Sequence, residues 1–135
     1  ANGEKYGKLY NWYAVNDPRG LAPEGWKIPS DEEWTRLTDF LGGESIAGTK
    51  MKSTGGWKEN GNGTNASGFF GLPGGYRHAA VDERFKQIGK RGWWWSSTDK
   101  SRRHAWSRNL SYRYGNVYRD WRGKDHGLYV RCLRD

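Results

Sequence analysis

The chain has 135 residues, a formal net charge of +8 and aromatic residues at 16% of its positions. That length is typical of one domain that buries a core without help from metals or disulfides. Leu, Ile, Val and Phe number only 19, a composition that favours disorder when it accompanies such a charge, but nine Trp and eight Tyr supply apolar mass. We therefore expect residues 1–135 to form a single folded domain with an aromatic core.

Composition also excludes several classes of protein. Twenty glycines argue against a helical bundle. No apolar run approaches the length of about 18 residues that a membrane span needs, and no signal peptide is recognisable. Cys132 is the single cysteine, so an internal disulfide and a zinc site of several cysteines are excluded, and we expect a small buried hydrophobe rather than a nucleophile. The positive charge favours an acidic partner.

The first structural signal is the aromatic and β-branched segment KLYNWYAV at residues 8–15. It predicts a strand, because the breaker sequence NDPRG at residues 16–20 follows it. The sequence GLYVRCLRD at residues 127–135 is the expected partner of this strand. The sheet would then join the two ends of the chain.

The clearest helix signal is IPSDEEWTRLTDFLGG at residues 28–43. Ser30 is the expected N-cap and Glu33 completes a capping box, while Asp31 and Glu32 place negative charge at the positive end of the helix dipole. An acidic cluster for metal or acid/base chemistry is the alternative interpretation. The helix already gives these first-turn acids a sufficient role.

Apolar spacing predicts which face of this helix is buried, and two glycines, Gly42 and Gly43, are expected to end it in the left-handed conformation. A second, short helix is predicted at residues 45–51, although Gly48 weakens it. The expected core-facing side chains of the first helix are Trp34, Leu37, Phe40 and Leu41.

Residues 54–77 contain so much Gly and Asn that they predict a long ordered loop rather than regular structure. Short antiparallel strands are then predicted at residues 76–80, 85–89 and 92–98. The last of these contains three consecutive tryptophans, so at least one ring must face a different layer or solvent. The expected anchors of the loop in the core are Trp57, Phe69, Phe70, Leu72 and Tyr76.

A hairpin is predicted from residues 105–114 and 117–122, because Gly115 and Asn116 form a favoured two-residue turn. This turn pairs Tyr114 with Val117 and Tyr112 with Arg119. An unbroken strand places Trp106, Arg108, Leu110, Tyr112 and Tyr114 on one face, which Leu110 marks as partly core. A bulge would exchange the faces.

Five motifs carry a resemblance to a known family: YNWYAV, APEGWKIPSDEEW, GTNASGFFGLPGGYR, GWWWSST and VRCLRD. In this order and spacing they resemble the Fibrobacter succinogenes major paralogous domain, a repeat common in surface and secreted proteins of Bacteroidetes-like bacteria. The resemblance implies an α+β, C-type lectin-like fold, similar also to the sulfatase-modifying fold. That fold has a small antiparallel sheet with paired N- and C-terminal strands, one clear helix, one short helix and long ordered loops.

The resemblance further implies an extracellular or cell-surface location and a role as the variable protein of a diversity-generating retroelement. Many relatives have Cys where this chain has Ala22, which leaves Cys132 without its partner. The calcium and sugar motifs of true C-type lectins and the cysteine pair of formylglycine-generating enzymes are absent. Calcium-dependent sugar binding and that enzyme activity therefore lose support.

The leading functional hypothesis is a non-catalytic module that binds an acidic protein or glycan through an aromatic and arginine-rich surface. Tyr, Trp and Arg dominate binding hot spots because they give large contacts at small entropic cost. We expect a monomer or part of a larger surface protein, without a cofactor, metal or catalytic residue. The predicted ligand-binding residues are Lys100, Arg102, Arg103, Trp106, Tyr112, Arg113, Tyr114, Tyr118, Arg119, Trp121 and Arg122.

Four alternatives stay open. The domain is a structural repeat without a ligand if the rings are core and the arginines only cover them. A calcium-independent carbohydrate-binding module would use the same residues. An enzyme would combine His78, His104 or His126 with an aspartate and a serine, but no HExxH or GxSxG spacing occurs. Nucleic-acid binding is the least favoured, because the basic residues are spread over the whole chain.

Overall fold

A computed structural model of the protein describes residues 2–78 and 85–134. Within these residues the fold is a mixture of short helices and small antiparallel sheets, which confirms the predicted combination of α and β structure. The helices are α1 (Asn2–Tyr6), α2 (Trp12–Val15), α3 (Asp31–Phe40), α4 (Glu44–Met51) and a 3-10 turn (Lys58–Asn60). The strands are β1 (Trp26–Lys27), β2 (Tyr76–Arg77), β3 (Phe85–Lys86), β4 (Arg91–Asp99), β5 (His104–Ser111), β6 (Val117–Gly123) and β7 (Leu133–Arg134).

The largest sheet has the strand order β4-β5-β6 and is antiparallel throughout. Two further two-stranded sheets pair β1 with β7 and β2 with β3. No helix of the described part of the chain is long and apolar enough to cross a membrane.

Strand β4 carries the core on both of its faces. Trp93, Trp94 and Trp95 are 3%, 6% and 0% exposed, so all three rings are buried. Trp94 belongs to one apolar cluster, whereas Trp93 and Trp95 belong to a second on the other side of the sheet. The prediction that one ring faces a different layer is confirmed. Burial of each indole contributes about 4 kcal/mol of hydrophobic free energy, which explains how a chain so poor in aliphatic residues folds.

Helix α3 begins as predicted. Ser30 Oγ accepts a hydrogen bond from Glu33 N at 3.1 Å, and Glu33 Oε1 accepts one from Ser30 N at 3.0 Å, which completes the capping box. The helix ends before Gly42 and Gly43, whose φ angles of +108° and +104° confirm the glycine termination. Helix α4 follows at once, which confirms the second helix.

The buried face of α3 differs from the prediction at one position. Trp34 is 2% exposed, but Phe40 is 86% exposed and the prediction that it faces the core is wrong. Thr38 is buried in its place because it lies four residues after Trp34 and so on the same face. Phe40 lies six residues after Trp34, which turns it about 120° away from that face.

The predicted strand at residues 8–15 is wrong, although its pairing with the chain end is confirmed. Asn11 Oδ1 accepts a hydrogen bond from Ala14 N at 3.0 Å and caps α2, and Trp12 and Val15 are buried together at helical spacing. The extended part is limited to Tyr10, which exchanges two backbone hydrogen bonds of 2.8 and 3.0 Å with Leu128. A segment whose aromatic and β-branched composition predicts a strand therefore forms a capped helical turn.

The long loop and the strands that follow it are partly as predicted. Trp57 is buried and anchors the loop, but Phe70 is 49% exposed with a φ of +55°, so it is not an anchor. The strands expected at residues 76–80 and 85–89 shorten to β2 and β3. Ala79 and Ala80, the end of the first prediction, lie outside the described residues.

The hairpin forms with a longer loop than predicted. Leu110 pairs with Val117, so residues 112–116 form the loop and the predicted pairings of Tyr112 and Tyr114 are wrong. The backbone of this loop bonds elsewhere. Thr49 N of α4 donates to Gly115 O at 3.2 Å.

Lys52 explains why the ladder stops where it does. Its side chain is buried, and its ammonium group donates to Gly61 O at 2.7 Å, Ser111 O at 3.1 Å and Tyr114 O at 3.2 Å. Two of these bonds satisfy the carbonyl groups of Ser111 and Tyr114, which a two-residue hairpin would have placed in the sheet. A buried lysine thus sets the shape of the loop.

Replacement of Gly48 by Ala tests the contact between α4 and this loop. Helix propensity alone predicts a gain of up to about 1 kcal/mol. The added methyl group would overlap the backbone carbonyl of Asn116, so we expect a loss of about 1 to 3 kcal/mol in the free energy of unfolding, measured by urea denaturation. Gly55→Ala is the control, because nothing lies within 4 Å of its Cβ position. A Gly48→Ala protein as stable as wild type would contradict this packing.

Candidate functional site

The sheet divides the predicted ligand-binding residues between its two faces. Opposite residues of an antiparallel ladder share a face. Trp106 pairs with Trp121 and Arg108 with Arg119, on the face that α3 and α4 cover. Tyr118 pairs with Asn109 and lies on the opposite face. The predicted set is therefore not one continuous surface.

The face covered by the helices carries a group that we call the tryptophan patch, formed by Lys100, Trp106, Arg119 and Trp121. The two indole rings are perpendicular, with centroids 5.9 Å apart. The guanidinium carbon of Arg119 lies 3.6 Å from the ring centroid of Trp106, and Lys100 Nζ lies 4.4 Å from that of Trp121. Trp121 is 45% exposed. The patch therefore presents the Trp121 indole to solvent beside Lys100, with Arg119 on the neighbouring Trp106.

Asp31 connects this patch to the first turn of α3. Arg119 Nε and Nη2 donate to the Asp31 carboxylate at 3.0 and 2.8 Å. Arg108 Nη1 donates to the same carboxylate at 2.7 Å, and its Nη2 donates to the Asp31 carbonyl at 2.9 Å. Since Arg108 is only 2% exposed, one carboxylate holds a buried and a half-exposed guanidinium together.

The electrostatics of Asp31 follow from this geometry. Burial acts to raise the pKa of its carboxyl group, but the hydrogen bonds and charges of Arg119 and Arg108 outweigh it and hold the pKa below its usual value. Burial lowers the pKa of the Arg108 guanidinium, and Asp31 opposes that effect. The network therefore keeps all three groups charged at neutral pH.

The opposite face of the sheet has a different character. Arg122 lies with its guanidinium carbon 5.4 Å from the ring centroid of the buried Trp93, and Arg91 lies 5.9 Å from the same ring. Arg91 also lies 5.8 Å from the ring centroid of Tyr118. Arginines that cover a buried indole in this way shield the core from solvent. On this face the arginines and aromatic residues therefore have a structural role.

The loop at residues 112–116 holds three more of the predicted residues. Tyr112 packs against the helix-side core, and its hydroxyl accepts a hydrogen bond from Arg113 Nε at 2.9 Å. Tyr114 is 51% exposed, and its ring centroid lies 6.5 Å from that of Tyr118. The remaining two residues, Arg102 and Arg103, are exposed in the connection between β4 and β5.

Two residues that the sequence prediction left out are central to the patch. In the sequence Asp31 fits a helix terminus or an acidic cluster, and an acid at that position gives no sign of a distant partner. Arg108 offered a signal, because it alternates with Trp106 and Leu110 on one face of β5. A charge on a partly apolar strand face indicates a buried counter-charge.

Comparison with known proteins identifies the family of this chain. The sequence profile of the Fibrobacter succinogenes major domain matches residues 1–134. The chain belongs to this family. No curated protein and no solved structure shows significant similarity to it.

In this Fibrobacter succinogenes major domain, Ala22 and the free Cys132 both pack against the core cluster that contains Trp93. Burial raises the pKa of the Cys132 thiol, which reduces the thiolate that a nucleophile needs. Burial also raises the pKa of Tyr129 to about 12, and its hydroxyl donates to Gly74 O at 3.0 Å. Over the described ranges, no three His, Cys, Asp or Glu side chains are grouped as metal ligands.

Replacement of Asp31 by Asn tests the network at the patch. The substitution keeps the shape but leaves the buried Arg108 without a counter-charge, so we expect the free energy of unfolding to fall by about 3 kcal/mol at pH 7. The lowered pKa of Asp31 means that its contribution is present above the unfolded pKa and is lost as the pH falls through the folded pKa. The difference between wild type and variant should therefore shrink below about pH 4.

Urea denaturation at pH 7 and pH 3 measures both effects. Glu32→Gln is the matched control, because Glu32 is the next residue of the same helix turn and pairs with Arg36 at 3.1 Å on the surface. Such an exposed pair is worth less than about 0.5 kcal/mol. Equal losses for the two variants at pH 7 would show that only the helix dipole matters.

Proposed function

We propose that this domain is a non-catalytic recognition module that binds an acidic protein or glycan through the tryptophan patch. The observation that carries the proposal is the placement of Trp121, an indole that is 45% exposed but fixed in a strand beside the Lys100 ammonium group. An exposed and rigid indole costs little entropy when it becomes buried against a ligand. Lys100 and Arg119 would then meet acidic groups at the rim of the contact.

The edge of the sheet supports recognition by side chains rather than by strand addition. Among the described residues, β6 has no further strand beside it. One backbone N–H group of this strand is nevertheless already bonded to a side chain, because Asp120 Oδ1 accepts a hydrogen bond from Trp121 N at 2.8 Å. Charged residues on an edge strand oppose pairing with another chain. A ligand would therefore contact indole and cation and leave the backbone ladder untouched.

We further propose that the architecture is C-type lectin-like and that the domain works in a secreted or surface protein. The pairing of Tyr10 with Leu128, which brings the two ends of the chain together, supports that architecture. So do the two successive helices α3 and α4 and the long anchored loop. The family membership supports the proposed location because the family is common in surface proteins.

A link to a diversity-generating retroelement is part of the same proposal. Lys100 and Trp121 are exposed and belong to neither apolar cluster, so replacements there would leave both clusters unchanged. Such tolerance is what diversification of a binding surface requires. A reverse transcriptase gene with a template repeat for residues 99–126 beside the coding gene would support the link, and its absence would remove it.

Binding measurements with Trp121→Ala test the main proposal. Loss of a central hot-spot aromatic should weaken binding to the best ligand from panels of acidic glycans and acidic surface proteins by at least about tenfold. Stability should fall by only about 1 kcal/mol, because the side chain is half-exposed on an edge strand. Surface plasmon resonance and thermal melting measure the two effects.

Phe40→Ala is the matched control. Phe40 is also an exposed aromatic, but it lies at the end of α3 opposite to Asp31, about 15 Å from that end of the helix. Equal binding by wild type, Trp121→Ala and Phe40→Ala would exclude the patch as the binding site. A folded domain that binds no member of either panel would favour the structural-repeat alternative.

A further inference from the structure

A polar cleft lies at the open end of the β5 and β6 hairpin, where β5 begins and β6 ends. Its volume is about 470 Å³, within the range of about 300 to 1,000 Å³ that is usual for small-molecule sites. Tyr13 of α2 forms one side. The other lining residues are Arg103, His104, Gly123, Asp125 and His126.

Backbone hydrogen bonds fix the walls of this cleft. His104 pairs with Gly123 across the ladder. Lys124 N donates to Arg103 O at 2.8 Å. Trp12 N of α2, the helix that contains Tyr13, donates to Lys124 O at 2.8 Å. The three segments that carry the lining side chains are therefore joined to one another without a ligand. A preformed site of this kind avoids most of the ordering cost of binding.

The side chains in the cleft offer unused binding capacity. The guanidinium of Arg103 is exposed and makes no hydrogen bond or ion pair with any described residue. The side chain of Asp125 is 68% exposed and has one contact, at 3.2 Å to His126 Nδ1. Tyr13 is 57% exposed. The cleft thus combines a free cation, a hydrogen-bond acceptor and an aromatic ring.

A second, smaller polar cleft of about 250 Å³ adjoins the first. Asp125 lines both clefts, and the smaller one is also lined by Asn11 and Arg77. The two clefts therefore meet at Asp125, and we call them together the groove.

From this geometry we propose that the groove is a second binding site and that its ligand is an acidic saccharide. Sugar rings have one less polar face that stacks on an aromatic ring, and their hydroxyl groups donate to carboxylates such as that of Asp125. A carboxylate or sulfate on the sugar pairs with Arg103 through a charge-assisted hydrogen bond. No residue of the tryptophan patch lines this groove, so the second site does not depend on the proposed function.

Titration of the isotopically labelled domain with digalacturonic acid, followed by NMR, tests this inference. The dimethyl ester of the same disaccharide is the matched neutral probe, and inorganic sulfate is the probe for the anion alone. We expect the acid to shift the backbone signals of Gly123, Asp125 and His126 at millimolar concentration. The ester and sulfate should each bind at least about tenfold more weakly.

Two variants locate the site. Arg103→Ala should weaken binding of the acid about tenfold, which is the effect of one charge-assisted hydrogen bond. Its neighbour Arg102→Ala is the control, because Arg102 is equally exposed but does not line the groove. Gly123→Ala should also weaken binding, since its Cβ would lie 2.9 Å from Asp125 Oδ1 and 2.9 Å from His126 Nδ1, on the floor of the cleft.

Four results would overturn the proposal. The first is the absence of any shift with digalacturonic acid. The second is equal weakening by Arg102→Ala and Arg103→Ala, which would indicate general attraction by net charge. The third is equal affinity for the ester, which would remove the acidic group from recognition. The fourth is equal affinity for sulfate, which would leave an anion site without a saccharide.

Discussion

The contact of Asp31 with two arginines is the constraint on which the exposed half of the molecule depends. It joins the first turn of α3 to β5 through Arg108 and to β6 through Arg119. A buried guanidinium is tolerated only because this carboxylate and the nearby carbonyl and hydroxyl groups satisfy it. The same carboxylate holds Arg119, whose guanidinium carbon lies 3.6 Å from the ring centroid of Trp106. Helix position and surface geometry therefore share one electrostatic origin.

This arrangement is possible because the core does not need the outer part of the sheet. The three tryptophans of β4 fill an apolar cluster on each side of the sheet. Leu110 and Val117 close the helix-side cluster at one end of the hairpin. Beyond them the strands continue to Trp121, which is 45% exposed. A central strand buried on both faces thus supports a hairpin whose far end is available to solvent.

The sequence predicts best where the determinants are local. Three features follow from a few neighbouring residues. They are the capping box at Ser30, the glycines that end α3, and the consecutive tryptophans whose rings alternate between the faces of β4. The failures arise where distant groups decide. Gly115 and Asn116 favour a tight turn, but the buried Lys52, 59 residues before Ser111 in the chain, donates to the carbonyl groups of Ser111 and Tyr114 and moves the register. The partner of Asp31 is likewise invisible in the sequence, because 77 residues separate it from Arg108.

The sheet divides the predicted binding residues between its two faces, so the same residue types have different roles on each face. Arginines alternating with aromatic residues look uniform along β6, but alternate positions have different neighbours. Arg122 covers the buried Trp93 and contributes to stability, whereas Arg119 and Trp121 face outward on the helix side. Replacement at an outward position changes what a ligand meets, while replacement at Arg122 also uncovers a core indole. Variation that preserves the fold is therefore expected at Trp121, but not at Arg122 or at Val117, which is buried in the helix-side cluster. This difference separates selection for binding from selection for stability.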